Sequence, residues 1–289
     1  MRVERDAEIA LDKRAKNVQE NAVTIALNKP YSFLSQSSTP NERQRFAKDL
    51  LEWRNQSVEC TYMKGRRRQQ QRASGRTSKR GARASTSPCP PSRLKKLACA
   101  GRLDTESSGL LIFTQNGSLA RRIVGVKKTG EDTRRGGQAV SKRDEEVDVV
   151  DKEYVVTVAR KSSNSSNASS LALNTPIVTD AMLHRFRDFG TMDGKRLLPV
   201  HTSRVAPKEW RPEPRLDLWP EGHSKHVEAH RKQFEQISMT LNEGKYHQIR
   251  RMCDAVGLNV VALVRVRVGN LELGKLRSGF WRVVDAVDI

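Results

Sequence analysis

A chain of 289 residues with a formal net charge of +20 is long enough for a sizeable core and basic enough to attract polyanions over long range. Hydrophobic residues make up 36% and charged residues 30%, which points to a folded core interrupted by polar insertions rather than a chain compact throughout. No apolar run approaches the ~20 residues of a membrane span, and Cys60, Cys89, Cys99 and Cys253 form no CxxC pair. Membrane insertion and a disulfide framework are therefore set aside in favour of a reducing, intracellular setting.

In chain order, residues 1–20 are charged with little apolar stripe and read as an N-terminal extension. Met1 to Asp6 is mixed in charge and has no apolar signal core. Residues 21–289 read as one domain with insertions at about 60–95, 125–150, 161–170 and 207–232. No acid occurs from Cys60 to Leu103, where Lys64, Arg66, Arg67 and Arg68 open a basic run that closes on Pro88-Cys89-Pro90-Pro91. Like charges repel and little there is apolar, so 64–92 is expected to be a disordered basic loop.

The segments between are periodic. Leu110-Leu111-Ile112-Phe113 suits a buried strand, followed by a turn signal at Asn116-Gly117 and a helical stretch over 118–124. Strands are expected at Lys152–Val158 and Ile237–Leu241. After Glu243-Gly244, Ile249, Met252, Cys253 and Val256 take helical spacing, with Gly257 at the cap position. His247, Arg250, Arg251 and Asp254 make a polar face of that helix. Asn259–Val268 returns to alternation, with Arg265 and Arg267 on one side. The plan is α+β: a mixed, mostly antiparallel sheet with few helices.

Three segments together resemble the bacterial-type pseudouridine synthases that modify small- and large-subunit ribosomal RNA. They are Gly101-Arg102-Leu103-Asp104 through Leu111, with Thr114-Gln115-Asn116-Gly117 behind it; Lys152-Glu153-Tyr154-Val155-Val156; and Glu243 through Met252, followed by Val264-Arg265-Val266 and Gly279-Phe280-Trp281-Arg282. Leu27-Asn28-Lys29-Pro30 near the front is similar to a fourth family element. Each piece alone is weak, but four in the family's order are not. Two departures stand out. Tyr31-Ser32 follows Lys29-Pro30 where the family usually has Gly, and residues 1–25 are too short for the S4-like RNA-binding domain with which many relatives begin.

The resemblance implies a pseudouridine synthase fold over 21–289 and a reaction that breaks the N1–C1′ bond of a uridine, turns the base and rejoins it through C5. Neither electrons nor atoms are exchanged with a cofactor, so no cofactor and no metal are expected. An ionised carboxylate must act near the ribose as nucleophile or base, and Asp104 takes the position of the family's catalytic Asp. Arg250 takes that of the arginine expected to pair with it and keep it charged, and Tyr154 that of the tyrosine facing the uracil. Flipping the base from its stack costs a few kcal/mol, and Arg102 matches the side chain that fills the gap. Lys29, Arg251, Arg265, Arg267 and the Lys64–Arg68 run are expected to contact RNA, chiefly phosphates.

Blander readings stand beside these. Asp104 would serve as a turn carboxylate, Tyr154 as a core residue and Arg250 as a solvated helix arginine; His247 is read as structural, with no catalytic part. His223, His226 and His230 have no paired acid or cysteine and are not read as metal ligands. The partner expected is ribosomal RNA or a pre-ribosomal particle, with ribosomal assembly proteins as neighbours and no membrane. A catalytically idle relative that binds ribosomal RNA during assembly is the alternative, and a basic chromatin-type protein explains the charge but not the motif order. Long low-complexity loops in a bacterial-type enzyme favour a mitochondrial ribosome over cytosol or nucleus, by analogy alone.

Overall fold

The computed structural model describes residues 22–36, 44–57, 89–125, 149–161, 176–206 and 234–289. The expected extension at 1–20, nearly all of the four insertions, residues Lys64 to Arg68 and the three histidines His223, His226 and His230 lie outside them.

The expected α+β plan is found. The strands are β1 (Thr24–Lys29), β2 (Ala98–Ala100), β3 (Ser108–Thr114), β4 (Lys152–Arg160), β5 (Thr191–Met192), β6 (Lys195–Arg196), β7 (His201–Arg204), β8 (Glu235–Leu241), β9 (Leu258–Val268), β10 (Leu271–Glu272) and β11 (Trp281–Val284). Three α-helices occur among the described residues: α1 (Gly117–Val124), α2 (Asp180–Arg187) and α3 (Gln248–Ala255). The main sheet runs β11-β1-β3-β9-β4-β8-β7, with β2 on β3 and β10 on β9, and β5–β6 form a separate hairpin. Every pairing is antiparallel except β3 with β9, where Ser108 faces Val264 and Gly109 faces Arg265.

The apolar run read as a buried strand is buried along all seven residues of β3, because both faces of the sheet are covered there. Alternate side chains enter different cores. Leu111 and Phe113 join Ile25, Leu27, Leu51 and Trp281 on one face. Leu110 and Ile112 join Ala26, Leu119, Ile123 and Leu271 on the other. Asn116 closes β3 and starts α1 by accepting from the Ser118 and Leu119 amides. Its turn signal is thus a helix cap.

A third core lies between β4, β8 and the helices. Ile249, Met252 and Cys253 of α3 meet Val156, Ile237 and Met239 of the sheet and Phe186 of α2. Each such burial is worth about 1.5–3 kcal/mol, so Met252→Asp would lift α3 off the sheet and displace the loop before it. Gly257 ends α3 in the left-handed conformation at φ 80°, as its cap position predicts.

Segment 89–92 is ordered, against the disorder expected to reach residue 92. Pro91 opens a 3₁₀ turn over Pro91–Arg93 and is buried, and the Ser92 hydroxyl donates to Glu52 at 2.7 Å. The prolines that signalled a break act here as the seat of that turn.

Candidate active site

Asp104 stands in the loop between β2 and β3, and that loop is pinned from several sides. Ser35 Oγ donates to the Leu103 carbonyl at 2.6 Å and accepts from the Leu103 amide at 2.9 Å. The Ser32 amide donates to the Thr105 carbonyl, and the Ser107 amide to that of Asp104. Gly101 takes φ 80° to start the turn. The carboxylate emerges half-buried into a cleft of about 380 Å³ whose walls include Arg102, Asp104, Ser107, Tyr154, His247 and Arg250.

Two acids line the cleft, Asp104 and Glu243. Glu243 is occupied: it accepts from the Leu198 amide and from Gln248 Nε2, both at 3.0 Å, with Lys245 Nζ at 3.8 Å. Asp104 makes no side-chain hydrogen bond among the described residues. The basic side chain within 4 Å of it is His247, whose Nε2 is 3.8 Å from Oδ1.

The expected pair between Arg250 and Asp104 is therefore not formed. Arg250 instead donates to the Glu106 carbonyl at 2.7 Å and to the Val260 carbonyl at 3.4 Å, with the Glu106 carboxylate 3.7 Å away. Its long side chain meets carbonyls at the cleft edge, one of them two residues beyond Asp104, and so braces the loop rather than the acid. His247, read as structural, takes the nearer place because it sits at the N-cap of α3 in the left-handed conformation, φ 50°. A non-glycine residue in that region costs of order 1–3 kcal/mol and is concentrated at functional sites. That backbone turn is what the sequence pattern could not show; the i, i+3 spacing to Arg250 was its only signal.

Tyr154 reaches the cleft from β4, opposite Arg265 of β9 and Met239 of β8, and packs against two of the cores while staying partly exposed. Arg102 is exposed beside Asp104.

Four expected RNA contacts are placed otherwise. Lys29 is buried on the interior strand β1, and its Nζ donates to the Pro30 carbonyl at 2.9 Å and the Phe33 carbonyl at 2.7 Å. Arg265 is buried on β9, its Nε donating to the Leu110 carbonyl at 2.7 Å and one terminal nitrogen to the Arg102 carbonyl at 3.4 Å. Both strands lie inside the sheet, so alternation put these cations under the cleft instead of on the surface. Arg267 is half-buried against Glu153 at 2.8 Å. Arg251 is bound by both nitrogens to Asp193, at 2.7 and 2.6 Å, and this hydrogen bonding holds the Asp193 carboxyl below its usual pKa.

The cations beneath the cleft act on one another. Burial lowers the Lys29 pKa to about 7, with Asp104 opposing that shift and Arg265 adding to it. Burial, then Arg265, lowers Lys152 to about 8. Cys99 also lines the cleft, but burial pushes its thiol up to about 12 and its Sγ donates to the Gly101 carbonyl, so it is no nucleophile. Among the described residues no cluster of three or more His, Cys, Asp or Glu is arranged to hold a metal.

Three buried polar atoms of the cleft residues have no hydrogen-bond partner: Ser107 Oγ, Arg250 Nε and one terminal nitrogen of Arg265. Unpaired buried polar groups cost about 1–3 kcal/mol each, and these three belong to residues that wall one cleft.

Residues 23–255 match the RNA pseudouridylate synthase family. The chain is 28% identical over 193 residues to an uncharacterized RNA pseudouridine synthase of Aquifex aeolicus, covering 66% of this chain and 53% of that protein. It is 27% identical to ribosomal large subunit pseudouridine synthase E of Xanthomonas campestris, over 65% of this chain and 76% of the relative. It is 25% identical to ribosomal small subunit pseudouridine synthase A of Escherichia coli, over 67% and 58% respectively. The chain thus spans about half to three quarters of the length of these relatives. A crystal structure of a pseudouridylate synthase superposes with a TM-score of 0.50 at 17% identity, over 93% of this chain and 72% of that one, which is a likeness of fold. The chain belongs to the RNA pseudouridylate synthase family.

Proposed function

We propose that this chain isomerises a uridine of ribosomal RNA to pseudouridine, with Asp104 as its catalytic carboxylate. The observation that carries the reading is that Asp104, alone of the two cleft acids, is not spent on an internal hydrogen bond. It opens into a cleft of the size that takes a small ligand, which Tyr154 also lines.

In this reading the uridine enters the cleft extrahelical, with its base against Tyr154 and its ribose toward Asp104. The carboxylate attacks C1′ or takes a proton from the sugar as the N1–C1′ bond breaks. The freed uracil turns and its C5 bonds to C1′, which releases the carboxylate from C1′ or returns the proton to the sugar; C5 then gives up its proton while N1 gains one. Arg250 supports the Asp104 loop through the Glu106 carbonyl, and Arg102 fills the stack that the base has left. Ribosomal RNA, free or in a pre-ribosomal particle, is the substrate in this reading; the relatives' names support the ribosomal part, and the low-complexity insertions suggest a mitochondrial ribosome by analogy.

The test is a pseudouridine map of ribosomal RNA from cells lacking the chain, rescued by wild type or Asp104→Asn. Loss of one or a few pseudouridines, restored only by wild type, supports the reading. An unchanged map together with assembly defects rescued by Asp104→Asn would sink it in favour of an idle assembly factor.

A further inference from the structure

Four large apolar side chains are exposed among the described residues: Val124, Leu198, Tyr246 and Val287. Two of them, Val124 and Tyr246, line the Asp104 cleft. Leu198 stands close by, since its amide donates to Glu243, which lines the same cleft. Exposed apolar groups scattered singly need no explanation, but a gathering at one rim does.

Tyr246 is 71% exposed. Its ring stacks on that of His247, centroids 4.0 Å apart and planes 13° from parallel. His247 is in turn held at the N-cap of α3, so the tyrosine ring is supported on one face and open on the other. Two basic side chains line the same cleft: Lys245, whose Nζ bonds the Arg196 carbonyl at 3.0 Å and lies 3.8 Å from Glu243, and the exposed Arg102. A rigid, one-sided aromatic face in a basic rim is how proteins hold single-stranded nucleic acid, because any base offers a π-face and phosphates seek the cations.

We propose that Tyr246, backed by His247, is a stacking site for an unpaired RNA base next to the target uridine. The site is separate from Tyr154, which lies inside the cleft. It rests on the reading of the cleft as an RNA site and adds the contact that holds the strand at its mouth. Since base planes are common to all four nucleotides, the site selects for unpaired RNA more than for sequence.

The test uses a short single-stranded oligouridylate carrying one 2-aminopurine, whose fluorescence falls when it stacks on an aromatic ring. The full chain should quench it. Tyr246→Phe should bind and quench like wild type, while Tyr246→Ala should lose the quenching and about 5- to 100-fold in affinity. Tyr246→Leu, apolar but not planar, should behave like the alanine variant; circular dichroism identical to wild type checks that each is folded. Absence of quenching by wild type, or unchanged affinity and quenching in Tyr246→Ala, overturns the proposal. Because binding is read rather than turnover, a chain that stacks the base yet forms no pseudouridine counts against the activity alone.

Discussion

His247 Nε2 lies 3.8 Å from Asp104 Oδ1, across the seam between the β2–β3 loop and the start of α3. The two side chains are 34% and 35% exposed, so the pair is partly screened and is worth no more than ~1 kcal/mol. On the proposed reading of Asp104, this contact orients the carboxylate. His247→Ala should therefore lower kcat by about 2- to 5-fold with KM little changed, and His247→Lys should recover part of the loss. Steady-state kinetics on a ribosomal RNA fragment check this; a loss confined to KM would show that the histidine binds RNA instead.

Arg265 joins two strands to the Asp104 loop through the Leu110 and Arg102 carbonyls. A lysine has no planar fork to reach both, so Arg265→Lys should destabilise the chain by about 2 kcal/mol, measured by urea unfolding. Burial is the main cause of the lowered pKa of Lys29 and Lys152, and Arg265→Met removes the charge that adds to it. The pKa values of Lys29 and Lys152 should then both rise, which NMR of the lysine side chains would read directly.

The two buried lysines also make stability depend on pH. Lys29 and Lys152 have folded pKa values of about 7 and about 8, against an ordinary value of 10.5. Between those values and the ordinary one, the unfolded chain binds more protons than the folded chain, so stability rises with pH. The slope is at most ~1.4 kcal/mol per pH unit for each lysine. Below about pH 6 their contribution should be flat. Denaturation midpoints from pH 6 to 10 check this, and Lys29→Met should reduce the rise.

Gly109 sits where β3 and β9 run parallel, at φ 105°. A Cβ there would collide with the Arg265 carbonyl. Gly109→Ala should cost roughly 2–4 kcal/mol and reduce activity as well, since the same contact sets the distance between Arg265 and the Asp104 loop. Thermal unfolding gives the first effect and turnover the second.

What the residues made legible was local. Leu110–Phe113 read as a buried strand because nothing in it needs water, and Ile249 to Val256 as a helix because its spacing allows one dry face. The motif order around Asp104, Tyr154 and Arg250 brought these three to one cleft. Partners were harder to read. Period two put Arg265 and Arg267 on one side of β9, but which strands flank β9 decides whether that side is wet, and strand order is not written in any one segment. Lys29 failed for the same reason, since β1 lies between β11 and β3. The His247 contact depends on a left-handed residue that composition does not announce, and α2, β7 and the β5–β6 hairpin carry too short a pattern to stand out.

The most direct measurement is pseudouridine formation under single-turnover conditions on ribosomal RNA, with wild type and Asp104→Asn at equal RNA occupancy. The asparagine is nearly isosteric and cannot act as nucleophile or base. The rate should fall on the order of 10⁴-fold while RNA binding persists. A variant that converts uridine at a rate near that of wild type would contradict the assignment of Asp104 as the catalytic carboxylate.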